Sequence, residues 1–179
     1  MVTDPATPEF SRTVPLSEIG GEVRPRHFVA DTDERAALAK RFSLLGLDRL
    51  EADVVLTRDG AAYLAEGWLH GEAVQACVAS GVPVPAAIEE NFRIRFISEA
   101  GLGAEAEVEL DAHDCDTLFH DGRMIDLGEA VAQSFALALD PFPRSADADA
   151  VLKAAGVKDE SEAGPFGALA ALKDKLGKG

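Results

Sequence analysis

Phe92, Ile94 and Phe96 alternate with Asn91, Arg93 and Arg95 in "ENFRIRFIS". A period of two is the mark of a strand with one covered face. The same reading predicts a meander of antiparallel strands upstream. "EADVVLTR" ends at Asp59-Gly60, a strong two-residue hairpin turn. "AAYLAEGWLHGEAVQACVAS" follows as one long strand or two, bent at Gly67 or Gly71, and "GVPVP" breaks the pattern. Nearer the start, "FSRTVPLSEI" (Phe10 to Ile19) reads as a first strand closed by Gly20-Gly21. "EVRPRHFVA" is extended, with Pro25 restricting it to a sheet edge or a strand start.

Two segments change to helical spacing. Asp31 with Glu34 three residues later forms a capping-box signal, and Leu38, Phe42 and Leu45 share one helical face. The expected helix runs from about Asp33 to Leu45, with Gly46 as its stop. "DLGEAVAQSFALALDPFP" is the clearer helix, capped by Asp126 and ended by Pro141. Leu127, Val131, Phe135, Leu137 and Leu139 nearly encircle it, so it should be largely buried. "GAEAEVELDA" is a weaker strand, and "HDCDTLFHDGRM" an acidic loop or short hairpin. After Pro143 the residues turn small, polar and charged, as in a linker. The chain closes on "PFGALAALKDKLGKG", where Phe166, Leu169, Leu172 and Leu176 give a short helix (165–176) an apolar face.

These elements predict an α+β domain over residues 8–143: an antiparallel sheet or partly closed barrel packed with two helices. Residues 144–179 would be a flexible tail ending in the short helix. That helix would dock on its own domain or order on a partner.

Charge changes the picture. The 179 residues carry 32 acids against 17 bases, a net charge of −15. This is the reverse of most nucleic-acid binders, whose affinity rests on phosphate neutralisation. The imbalance is uneven: residues 1–58 hold 8 Lys/Arg and 10 Asp/Glu, whereas Glu99 to Glu129 holds ten acids and only Arg123. Such a surface repels nucleic acid and attracts basic protein. The bases that could form a patch are Arg93 and Arg95 on one strand face, with Arg12, Arg24, Arg26, Arg35, Lys40 and Arg41 in the less acidic part. Pairing with the many acids is the plainer use for them.

No apolar run approaches the ~20 residues that span a bilayer. The start, "MVTDPATPEF", lacks a basic region followed by an apolar stretch, so no leader is expected. With two cysteines and no export signal, a reducing cytosol is expected, and a Cys77–Cys115 disulfide is not. No catalytic motif stands out. His113, Cys115, His120 and Asp121 are competent ligands, but their spacing fits no standard zinc arrangement and reads as a solvated loop. Glu89-Glu90 and Asp114/Asp116 read as acidic surface, and His27 and His70 as plain surface or strand histidines. Cys77 has Ser80 where a metal knuckle would place its second cysteine, and its sequence neighbours offer no cation to a thiolate. It reads as a small, half-buried strand residue. No metal and no cofactor are expected.

The order of these pieces resembles the YceD family of bacterial and chloroplast proteins, named for large ribosomal RNA subunit accumulation. The resemblance rests on Leu16, on Gly71 through Cys77, on "MIDLGEAVAQSFALALDPFP" from Met124 to Pro143, and on "PFGALAALKDKL" from Pro165 to Leu176. Many members carry a second cysteine three after the first and further cysteines after the Leu/Pro-rich segment. Ser80 and "RSADADA" stand at those places here. Cys77 and Ser80 thus look like a degenerate ligand pair, and the family's suspected metal site does not carry over. The resemblance implies a cytoplasmic, non-catalytic factor that supports 23S rRNA accumulation, ribosome assembly or rRNA processing. Its partners would be large-subunit precursors, basic ribosomal proteins and rRNA, with neither membrane nor DNA. The alternatives are a direct RNA-binding module using the arginine patch (Arg24, Arg26, Arg35, Arg41, Arg93, Arg95), or a nuclease-like enzyme at the acidic loop. Phe166 and Leu169 are the candidate partner contacts of the tail.

Overall fold

A computed structural model describes residues 8–20, 25–98 and 116–157. They fall into two compact units, one drawn from Met1–Gln75 and Pro85–Pro141, the other from Ala76–Val84 and Phe142–Gly179. The strands of the first unit are β1 (Thr13–Pro15), β2 (Arg26–Val29), β3 (Gly46–Asp59), most of β4 (Ala62–Ala76) and β5 (Pro83–Ser98), β6 (Asp116–His120) and β7 (Met124–Asp126). Its helices are α1 (Thr32–Arg41) and α2 (Leu127–Ala138).

The main sheet has the order β2-β3-β4-β5-β6 and is open, with β2 and β6 as its outer strands. The β3–β4 hairpin turns at Gly60, whose φ of 61° suits glycine, and runs from Asp59↔Ala62 to Gly46↔Val74 with one register shift at Leu47/Arg49. β4 is a single strand of 15 residues rather than two. "VPVP" does not break the pattern as expected: β5 already starts at Pro83. Its prolines are tolerated because β6 pairs with β5 only from Ile94 to Ser98, which leaves that side of β5 an edge at the prolines. That pairing is parallel, whereas β2–β3 and β3–β4 are antiparallel.

The alternation in β5 is realised as read: Phe92, Ile94 and Phe96 are buried and Arg93 and Arg95 exposed. They join Leu50, Ala52 and Val54 of β3 and Leu69 of β4 in one core with Phe10, Leu38 and the buried side of α2. Gly71 has no Cβ because the ring of Phe135 fills that space, seating α2 on β4. The first strand is shorter than expected, and Leu16–Glu18 form a 3-10 turn. β1 pairs with β7, and the backbone of Phe10–Arg12 closes on Gly128, where any side chain would collide.

α1 has the full capping box. Glu34 N–H donates to the Asp31 carboxylate (2.9 Å), and Asp31 N–H donates to that of Glu34 (2.8 Å). The helix stops at Arg41, short of Leu45, and Gly46 is not its stop. Ser43 turns left-handed (φ 56°) and Leu45 N–H donates to Val74 O, so the sheet has already captured this stretch. α2 starts on Asp126, whose carboxylate accepts from the N–H groups of Gly128 and Glu129 and also from Arg12 N–H and Ser11 Oγ. Leu137 corrects the expectation of an encircled helix: it is 77% exposed, at the rim of an open groove between α2 and β5. β6 and β7 lie in different sheets, so the acidic segment is not a paired hairpin.

In the second unit, Val82 O accepts from Cys77 N–H across the β4–β5 turn, and Val78 N–H donates to Pro143 O. The stretch read as a linker carries α3 (Ala148–Ala154). The "GAEAEVELDA" strand and the 165–176 helix lie outside the described residues.

Candidate functional site

Among the described residues, the N-terminal arginines Arg12, Arg35 and Arg41 are engaged within the fold. Arg12 grips Glu34 with both terminal nitrogens (2.6 and 2.9 Å) and stacks on Phe10, 4.4 Å from the ring centre. Arg41 grips Glu129 of α2 in the same way (2.8 and 2.7 Å) and also reaches Glu9 at 2.9 Å. Bidentate, charge-assisted bonds of this kind are the strong ones. They hold the carboxyls of Glu34 and Glu129 below their ordinary value, against the smaller opposing effect of burial. Arg35 donates to Ala30 O (2.6 Å) beside the α1 cap, and Arg26 lies 3.9 Å from Glu18. Arg24, Phe166 and Leu169 fall outside the described residues. Arg93 and Arg95 stand on the exposed side of β5, Arg93 3.2 Å from Glu66 and Arg95 4.0 Å from Asp59.

Cys77 directly follows β4 and is 3% exposed, more covered than the half-buried strand residue expected. Its sulfur accepts from Ser145 Oγ (3.2 Å) and Ser145 N–H (3.3 Å), and Ser80 Oγ lies 3.4 Å from Ser145 Oγ. The Ser145 hydroxyl, then its N–H, then the Ser80 hydroxyl stabilise the thiolate and pull the thiol down to about 6; burial opposes them with a smaller effect. The sequence neighbours of Cys77 gave no hint of this, because Ser145 is 68 residues away. The one available signal was the resemblance drawn from the sequence, which sets "RSADADA", with Ser145 in it, at a place where further cysteines are expected. The three side chains converge as a ligand set would, yet they make one thiol and two hydroxyls, and Ser145 turns its hydrogens toward the sulfur. That donor set does not fit a four-ligand zinc site.

Each of the three described histidines has a polar neighbour, although His120 Nε2 is buried without a hydrogen-bond partner among the described residues. His27 Nδ1 lies 3.0 Å from Asp53, and His70 lies between Glu72 (3.2 Å) and Glu89 (3.5 Å). His120 is buried edge-on to Tyr63, and its Nδ1 accepts from Gly122 N–H, which places the hydrogen on Nε2. Asp121 is held below the usual carboxylate range by the N–H groups of Arg123 and Met124. His120 and Asp121 therefore serve the β6–β7 turn, while His113 and Cys115 lie outside the described residues.

Sequence reading passed over Trp68. It lies on the exposed side of β4, opposite Asp53 and against His70, with ring centres 5.9 Å apart. The open groove beside it has a volume of about 660 Å³. As the single tryptophan of the chain, on the polar side of an alternating strand, it was the available signal.

The family described as large ribosomal RNA subunit accumulation protein YceD has a model that matches residues 65–173, well over half of the chain. No curated protein and no solved structure matches it. The chain belongs to the YceD family.

Proposed function

We propose that this member of the YceD family is a non-catalytic factor in large-subunit ribosome assembly, working in the cytoplasm by contact with basic ribosomal protein. The family name connects it to accumulation of the large ribosomal RNA subunit, and ribosome-related partners follow from that role. What carries the finer reading is the disposition of charge. Arg12 and Arg41 are spent on Glu34, Glu129 and Glu9 inside the fold, in a chain of net charge −15. Arg93 and Arg95 are each matched to a carboxylate on the same sheet. A surface of this sign repels a phosphate backbone and attracts a cationic protein.

Affinity purification from growing cells, with and without nuclease digestion of the lysate, tests this. Large-subunit ribosomal proteins should stay bound after digestion. Their complete loss on digestion would mean that RNA makes the contact, as in the reading that uses Arg93 and Arg95.

A further inference from the structure

On the exposed side of the main sheet, Trp68 stands among carboxylates. Three arginines of this face each meet one acid: Arg49 with Glu51 (2.6 Å), Arg93 with Glu66 (3.2 Å) and Arg95 with Asp59 (4.0 Å). Two acids are left whose partners, among the described residues, are imidazoles rather than permanent cations: Asp53 has His27 and Glu89 has His70. Glu72 shares His70 but also faces Arg49 across the β3–β4 ladder and attracts its guanidinium. These acids bracket the indole. Asp53 is its cross-strand partner in β3, and His70, which both glutamates contact, packs against its ring. The groove beside Trp68 is floored by Val55 and Gly67 and walled by Glu66, Asn91 and Arg93.

The indole face is the best aromatic seat for a cation. Carboxylates at its margin suit a guanidinium, which can lie flat on the ring while its edge donates to an acid. A phosphate group brought to the same place would meet Asp53 and Glu89, whose neighbours are imidazoles; Arg93, the cation nearest the groove, is already matched to Glu66. We propose that this face, centred on Trp68, docks an arginine-bearing segment of a basic protein, with a guanidinium over the indole and its edge toward Asp53 or Glu89. The proposal rests on the assembly reading above and names the surface and the partner chemistry for it.

Trp68 is the only tryptophan, so its fluorescence in the full-length protein reports this site alone. The probes are a short oligo-arginine peptide and a single-stranded oligouridylate of equal length. Oligo-arginine should change the emission saturably at low salt, and oligouridylate should leave it unmoved. By anisotropy of labelled peptide, Trp68→Leu should weaken binding ~3-fold, as loss of one exposed cation–π contact would. The triple variant Asp53→Asn, Glu72→Gln, Glu89→Gln should weaken it roughly tenfold and retains Trp68 as a check on folding. A control with the same charge change on exposed residues of other elements of this unit, Glu18→Gln, Asp33→Asn, Asp116→Asn, should stay within about twofold, since charges away from the site are screened. Emission that no peptide moves, or equal weakening by both triple variants, would overturn the site. A response to oligouridylate instead would make it an RNA stacking platform and overturn the proposal as stated. The assembly reading fails separately. If deleting the gene lowers large-subunit rRNA but the first triple variant restores it fully, the docking face falls and that reading stands.

Discussion

Arg41 and Arg93 are equally plain in the sequence, and the fold uses them differently. Arg41 joins α1 to α2 and to the segment before β1 through three hydrogen bonds, with its side chain 33% exposed. Arg93 meets a single carboxylate of the neighbouring strand, with its side chain 59% exposed. A shielded bidentate pair that ties distant segments is part of the fold. An exposed strand-to-strand pair is screened, and its arginine can be exchanged for a partner's at little cost. Charge counting cannot separate the two, because what differs is how many acids the chain brings to each arginine and how much water is left between them.

Arg41→Ala gives the largest expected effect. It leaves Glu129 and Glu9 facing each other without their cation. Hydrogen bonds to charged groups contribute ~1.5–3 kcal/mol, and partial exposure reduces this, so a loss of about 1–2 kcal/mol is expected. That corresponds to a melting temperature lower by roughly 3–6 °C in calorimetry. A drop no larger than that of Arg93→Ala would erase the distinction.

Acid titration of stability sharpens the same contrast. Glu34 and Glu129 have folded-state values below their ordinary 4.5. A carboxyl depressed in the folded state contributes stability that is complete above its unfolded value and is lost as pH falls through its folded value. Denaturant midpoints should therefore fall as pH drops below about 4.5, and less steeply in Arg41→Ala, which has already lost one of the two pairs. Equal slopes in the two proteins would remove Glu129 from the acid response.

The Cys77 pocket is a third kind of site, ordered by hydrogen bonds to sulfur rather than by ion pairs. Ultraviolet absorbance of the thiolate should rise around pH 6 in the wild type, and Ser145→Ala should move that rise upward toward the ordinary 9.0. The folded thiol lies below its unfolded value, so its contribution to stability grows as pH rises from about 6 to 9.0 and fades below that window. An unchanged titration in Ser145→Ala would show that Ser145 does not hold the thiolate.

Arg93→Ala gives the smallest expected effect, under ~0.5 kcal/mol on stability, as for most exposed pairs. A large loss of stability would make Arg93 structural and return it to the class of Arg41.

Local signals carried much of the fold. The Asp31/Glu34 box, the Asp126 cap and the alternation around Phe92 each act within a few residues and are realised, and the hairpin turn expected at Asp59-Gly60 falls one residue on, at Gly60-Ala61. Errors arose where distant contacts decide. α1 ends early because the backbone after Ser43 bonds β4, and "VPVP" enters a strand because β6 pairs only further along. Leu137 stays in water because the groove it borders between α2 and β5 is open to solvent. At the candidate sites, residue types were legible and partners were not. The acids that claim Arg41 lie 32 and 88 residues away, and the serine that claims Cys77 lies 68 away. Trp68 escaped because one aromatic in a strand alternation is ordinary; only the acids gathered from β3, β4 and β5 give it a use.

The most direct test of the assembly role is the ribosomal subunit profile of cells from which this gene has been cleanly deleted. The account predicts less mature large-subunit rRNA, with the small subunit less affected, and recovery when the wild-type chain is restored. An unchanged profile would contradict it.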